Sequence, residues 1–281
     1  MSYARPLFSV MALASLTLTA CSAPGEVDEA IATAQEASLT SNSLTSNSLT
    51  SNSLTSNSLT SNSLTSNSLT SNSLTSNSLT SNALTDPSAR DLLKYVVSCA
   101  LPAGAHVNVT VQGVTYTYDG QLGLAPEWGQ AGGSCDHDCQ GWVSACLLAR
   151  IDYLGQSKQI SVRGDDPALN TTQSERSAYN KREATYYGNV FASPQQRYAC
   201  LSPGKTQIPR VCGPSIQGCV VDVVGSCDDV CGHARSDGSF PDCWNQAGDD
   251  DDQHDHSCGD HDKSPHGASE YHGSITVFLK P

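Results

Sequence analysis

The sequence predicts an α+β fold stapled by disulfides, and three observations carry that prediction. Eleven cysteines crowd the region from Cys99 to Cys258, a density that reads as a disulfide framework in an exported chain. Apolar residues recur at three- and four-residue steps between Asp136 and Ile151, the period of a helix packed on one side. Elsewhere they alternate with polar residues, as at Val107, Val109 and Val111, the period of a half-buried strand.

By composition the chain divides into residues 1–20, a small acidic stem at 21–37, a five-residue repeat at 38–85 and a Cys-rich domain at 86–281. Residues 1–20 carry Arg5, an apolar run from Leu7 to Leu18 and then small residues, the plan of a secretory signal peptide. The run is shorter than the roughly 20 apolar residues a membrane-spanning helix needs. It closes on Leu18-Thr19-Ala20-Cys21, which resembles the lipobox of bacterial lipoproteins. That resemblance implies cleavage before Cys21, a lipid on its sulfur and acylation of its amine, and two or more acyl chains anchor stably where one does not. Ser22 after the cysteine is compatible with the outer membrane, so the resemblance places the chain in the bacterial cell envelope.

The repeat, Ser-Asn-Ser-Leu-Thr, puts a leucine at every fifth position from Leu39 to Leu84 with no charge between them. Period five makes no stripe on an α-helix and sends successive leucines to opposite faces of a strand. Only a solenoid with five residues per side would turn every leucine inward. The repeat partly resembles the pentapeptide-repeat β-helix, with the order of Asn and small residue before the leucine exchanged. The other reading is a disordered spacer too polar to offset its chain entropy, reaching about 40 Å as a random coil.

Within the domain, Asp91 to Ala100 has a helical apolar period (Leu92, Leu93, Tyr95, Val96, Val97), and Gln112-Gly113 turns a hairpin between the valine strand and Val114, Tyr116 and Tyr118. That hairpin is expected to need a neighbouring sheet. The helix from Asp136, capped by Ser134 or Asp136 and ended near Gly155, sets Cys139 and Cys146 two turns apart, so they reach different partners. Lys158 to Arg163 reads as a strand, Thr172 with Glu175 as a capping box for a helix to about Arg182, and Tyr186, Tyr187, Val190 and Phe191 as an aromatic strand. After Tyr198 the reading is Cys-rich loops with strands at Cys219–Val224 and Ile275–Leu279. Gly-Ser-Cys135-Asp-His-Asp-Cys139 and Gly-Ser-Cys227-Asp-Asp-Val-Cys231 repeat one local pattern. Leu-Leu-Lys94-Tyr-Val-Val-Ser-Cys99, Gly123-Leu-Ala-Pro-Glu127-Trp128 and Trp142-Val-Ser-Ala-Cys146 resemble a group of exported Cys-rich proteins of myxobacteria, which implies a genuine domain and no particular activity.

The domain carries 24 Asp and Glu against 14 Lys and Arg, which argues against a nucleic-acid partner and favours cations or basic surfaces. The acid is densest at 249–262: Asp249, Asp250, Asp251, Asp252, Asp255, Asp260 and Asp262, with His254, His256, His261 and Cys258. Clustered carboxylates repel one another and a divalent cation relieves this. From Asp251 an EF-hand would need glycine at the position of His256 and glutamate at that of Asp262, so calcium would have to be held by other oxygen geometry. The histidines with Cys258 suit zinc or copper instead, and without a cation the loop is a solvated acidic segment. A rival centre is Cys146, with Gln140 six residues before it and His233 as base, which faintly resembles the papain-like hydrolases and implies a thiolate nucleophile with a Gln-built oxyanion hole. The rest of the sequence predicts a lipid-anchored extracytoplasmic protein with a binding or envelope role. Trp128, Trp142 and Trp244 are expected in the core or packed on disulfides and not as sugar platforms, and Tyr179, Tyr186, Tyr187 and Tyr198 either in the core or along a groove.

Overall fold

The computed structural model describes residues 43–44, 74, 83–246 and 268–281. Residues 1–20, which the sequence reads as a signal peptide, together with Cys21, the acidic stem, most of the repeat and the segment 249–262, lie outside these residues. The α+β expectation holds. Helix α1, Pro87–Ala100, starts earlier than the apolar period suggests, because Asp86 caps it by accepting from the Ser88 N–H at 2.9 Å and Pro87 takes the first turn. Strands β2, His106–Val111, and β3, Val114–Asp119, form the expected hairpin. It does not join the main sheet: Val107, Val109, Val111 and Tyr118 are buried, and β3 packs on α1, which supplies the covering surface. Helix α2, His137–Ala149, is capped by Asp136 and ends at Arg150 instead of running toward Gly155.

The main sheet has six strands. In chain order they are β1 (Ser43–Leu44), β4 (Ile160–Arg163), β5 (Lys181–Asn189), β6 (Gln196–Leu201), β7 (Asp222–Ser226) and β10 (Ile275–Leu279). In space the order is β1-β4-β10-β5-β6-β7. All neighbours are antiparallel except β6 and β7. The C-terminal strand therefore lies between β4 and β5. A short pair, β8 (Cys243–Trp244) and β9 (Glu270–Tyr271), stands outside this sheet.

Both faces of β5 are covered. Side chains alternate across a strand, so Tyr186 joins the core under α2 and α1 while Tyr187 faces a second cluster of Cys200, Cys227, Val230, Phe240 and Tyr271. The alternation continues on β6, where Ala199 and Cys200 divide between the same two clusters. The ten described domain cysteines form five disulfides: Cys99–Cys146, Cys135–Cys139, Cys200–Cys227, Cys212–Cys219 and Cys231–Cys243. Cys139 and Cys146 do reach different partners. The two Gly-Ser-Cys patterns diverge: Cys135 bridges to Cys139, whereas Cys227 and Cys231 bridge to separate strands.

Helix α3, Gln173–Ala178, is shorter than its sequence suggests, because β5 already begins at Lys181. Only half of the capping box forms. Thr172 accepts from the Glu175 N–H at 3.1 Å, but the Glu175 carboxylate turns inward and accepts from the Ser161 hydroxyl at 2.7 Å. Burial raises the pKa of this carboxyl, and Ser161, Arg163 and Arg176 offset only part of the rise. A folded-state pKa above the unfolded one gives stability that is present at low pH and lost as pH rises through the folded value. Glu175→Gln is therefore expected to be more stable than wild type at pH 7 and equal to it below about pH 4, near the unfolded pKa of glutamate. Denaturant titrations at the two pH values check this, and a Gln variant weaker at pH 7 would contradict it.

The repeat touches the domain at the points where it is described. Ser43 and Leu44 pair with Ser161 and Ile160 at the edge of β4, and Leu74 and Leu84 are buried in the core at 0% and 1% exposure. Among the described residues the repeat closes no coil. A boundary at residue 86 thus leaves out two leucines of the domain's own core, since Leu84 sits in a short 3₁₀ turn whose carbonyl accepts from Arg90.

Candidate cation-binding cleft

The first two turns of α2 present His137, Asp138, Gly141 and Trp142 to one wall of a cleft of about 270 Å³. The opposing walls are Gly188 and Asn189 at the end of β5, Asp165 after β4, Asp242, and Tyr271 to Gly273. The close approach of the α2 wall needs Gly273, where a Cβ would stand 2.7 Å from the Trp142 amide nitrogen and 2.8 Å from the Gly141 carbonyl carbon. Trp142 is consequently half-buried at the cleft instead of deep in the core. Trp128 and Trp244 are core residues as expected, at 0% and 4% exposure. Tyr186 and Tyr187 are buried, and Tyr187, Tyr198 and Tyr271 pack their rings against one another at 5.5–5.9 Å.

At the cleft mouth His272 Nδ1 lies 2.9 Å from Asp242 Oδ1. The two residues are 30 apart in sequence and meet through covalent and strand geometry. The Cys231–Cys243 bridge fixes β8, Cys243 pairs with Tyr271 across β8–β9, and Asp242 and His272 flank that pair. Asp242, Glu270 and His272 can bring one donor atom each within 4.8 Å of one another. The hydrogen bond that the protonated ring donates to Asp242 raises the pKa of His272, the negative charges of Glu270, Asp242 and Asp138 add to the rise, and partial burial opposes it. The ion-pair stabilisation is present while the imidazole is protonated and is lost as pH rises through the raised value. A cation and a proton compete for this ring, because a metal ligand must be neutral imidazole.

The floor is rigid. Asn189 donates through Nδ2 to Gln140 Oε1 and accepts from the Phe191 N–H, both at 2.9 Å. Gln140 donates to the Cys135 carbonyl at 2.9 Å. Gln140 is therefore a strut between α2 and β5. Cys146 is bonded to Cys99 and fully buried, and His233 stands exposed on the loop after Cys231. A disulfide sulfur offers no thiolate, which corrects the cysteine-hydrolase expectation built on Cys146, Gln140 and His233. The sulfurs of Cys200, Cys231 and Cys243 also cluster, but all three are bridged and offer no thiolate donor either.

The metal-ligand candidates named from sequence, Asp249, Asp250, Asp251, Asp252, His254, Asp255, His256, Cys258, Asp260, His261 and Asp262, lie outside the described residues. The described chain leaves toward them at Gln246 and returns at Ala268. The two ends are held together, with the Ser269 N–H donating to Asn245 Oδ1 at 3.0 Å. The acidic segment thus springs from the β8–β9 pair that carries Glu270. Sequence reading missed Asp242, Glu270 and His272, for which the only signal was acid and histidine on both flanks of that segment. Among the described residues no helix is long and apolar enough to cross a membrane. Comparison of the chain with protein-family models, curated proteins and solved structures finds no match.

Proposed function

We propose that the protein is a lipid-anchored binding protein of the bacterial cell envelope, attached through Cys21, whose Cys-rich domain takes up a divalent cation at Asp242, Glu270 and His272. The observation that carries the cation reading is the convergence of one imidazole and two carboxylates within 4.8 Å at the mouth of a cleft. Asp138 and Asp165 on the cleft walls add negative potential. One nitrogen with carboxylate oxygens is a donor set that suits zinc, while a site relying on oxygens alone would favour calcium. The lipid anchor rests on the Leu-Thr-Ala-Cys21 ending of the signal peptide, and the oxidised cysteines fit an exported chain.

Calorimetric titration of the metal-free mature protein with zinc and with calcium tests the reading. One bound ion per chain is expected, and His272→Ala or Asp242→Asn should weaken binding about 10-fold or more for a lost ligand or its partner. Unchanged binding in both variants would overturn the assignment. Binding abolished instead by replacing Asp249 through Asp262 would move the site to that segment.

A further inference from the structure

The repeat offers a second binding reaction, independent of the cation. We propose that the seat of Leu74 is a peptide-binding site for the Ser-Leu-Thr unit, open to any unit of the repeat, so that the domain can sit at more than one register along its own tether. Leu74 is fully buried in the core cluster, and its amide donates to the Trp128 carbonyl at 2.9 Å. These contacts recognise a leucine side chain and a main-chain N–H, and residues 41–80 are eight identical copies of Ser-Asn-Ser-Leu-Thr. Nothing in such a seat distinguishes Leu74 from the leucine of another copy. The edge of β4 takes the same Ser-Leu dipeptide at Ser43–Leu44 through main-chain pairing, a second place where the domain engages a unit by features every unit shares.

What separates the registers is the length of chain to the fixed anchor at Leu84. Nine residues lie between Leu74 and Leu84, and fourteen between Leu69 and Leu84. Closing the longer loop lowers its population only about two-fold, because closure entropy grows with the logarithm of length. Loss of Leu74 alone is therefore compensated by its neighbour. The seat also accepts a unit supplied on a separate peptide.

The test uses the mature full-length chain, with Leu84 and all cysteines kept. Leu74→Ser is compared with a variant in which every repeat leucine from Leu39 to Leu79 is serine. The single substitution is expected to shift the thermal midpoint little and the full set to lower it clearly. A peptide of three Ser-Asn-Ser-Leu-Thr units should restore the full variant in proportion to its concentration, and the same peptide with serine for leucine should not. A fluorescent Leu peptide added to wild type gives a second readout that needs no variant to fold. Weak, saturable binding displaced by unlabelled Leu peptide is expected, since the chain's own units compete for the seat. A single substitution as costly as the full set would overturn exchange between units. No effect of the full set, or no specific peptide binding to either chain, would overturn the seat itself.

Discussion

Arg210→Leu is expected to destabilise the domain by about 3–5 kcal/mol, the cost typical of breaking a buried ion pair from one side. Arg210 and Glu183 meet at 2.5 Å with side chains 3% and 6% exposed. The guanidinium also donates to the Ile151 carbonyl at 2.5 Å and to the Tyr186 hydroxyl at 3.2 Å. It ties the chain after α2 and the short helix at Pro209–Cys212 to the central strand β5. Burial alone would lower the pKa of Arg210, but Glu183 and then Tyr186 hold it above its ordinary value. Leucine leaves the Glu183 carboxylate uncompensated inside the protein. The double variant Glu183→Leu with Arg210→Leu removes both charges and should recover much of the loss. Urea titration with disulfides intact measures both, and a single variant within 1 kcal/mol of wild type would show that the pair bears little of the fold.

Removing Cys99 and Cys146 together, both to alanine, is expected to cost about 4 kcal/mol through loop-closure entropy. The bridge spans 47 residues, and it joins α1 to α2 in the centre of the core. By the same relation the Cys135–Cys139 bridge, with a separation of 4, should cost only about 2 kcal/mol. The comparison is the measurement, since equal losses would mean that strain or denatured-state structure outweighs loop length. Disulfide mapping of the purified chain must first find Cys99 joined to Cys146.

How much of this was legible in the sequence follows from whether the governing interaction is local. Helices α1 and α2 and the hairpin were legible because the burial of each imprints a period on consecutive residues, and Asp136 supplied a visible cap. Strand β6 was not, because its Cys-bearing run reads as loop and its pairing with β7 is parallel and distant. The position of β10 between β4 and β5 depends on contacts across more than 80 residues, such as the Thr185–Thr276 hydroxyl pair at 2.8 Å. The candidate site failed to show for the same reason. Asp242 and His272 are brought together by a disulfide and a two-residue strand, and no spacing rule encodes that. The density of acid at 249–262 lies between the two chain segments that carry Asp242 and His272, and names different ligands from those proposed here. In the repeat the missing information was which leucine the domain buries, and eight identical copies carry none.

The order of the cysteines has a consequence for biogenesis. Cys135–Cys139 lies inside the loop closed by Cys99–Cys146, and Cys212–Cys219 lies inside that closed by Cys200–Cys227. With Cys21 lipidated as proposed above, an oxidant joining the remaining cysteines two by two as they emerge would link Cys99 with Cys135, Cys139 with Cys146, Cys200 with Cys212, and Cys219 with Cys227. Of the five native bridges, such a vectorial enzyme would make only Cys231–Cys243 correctly. Vectorial pairing is avoided only if the partner elements dock before oxidation, α1 on α2 for Cys99–Cys146 and β6 against the segment after β7 for Cys200–Cys227, or if a disulfide isomerase reshuffles the first products.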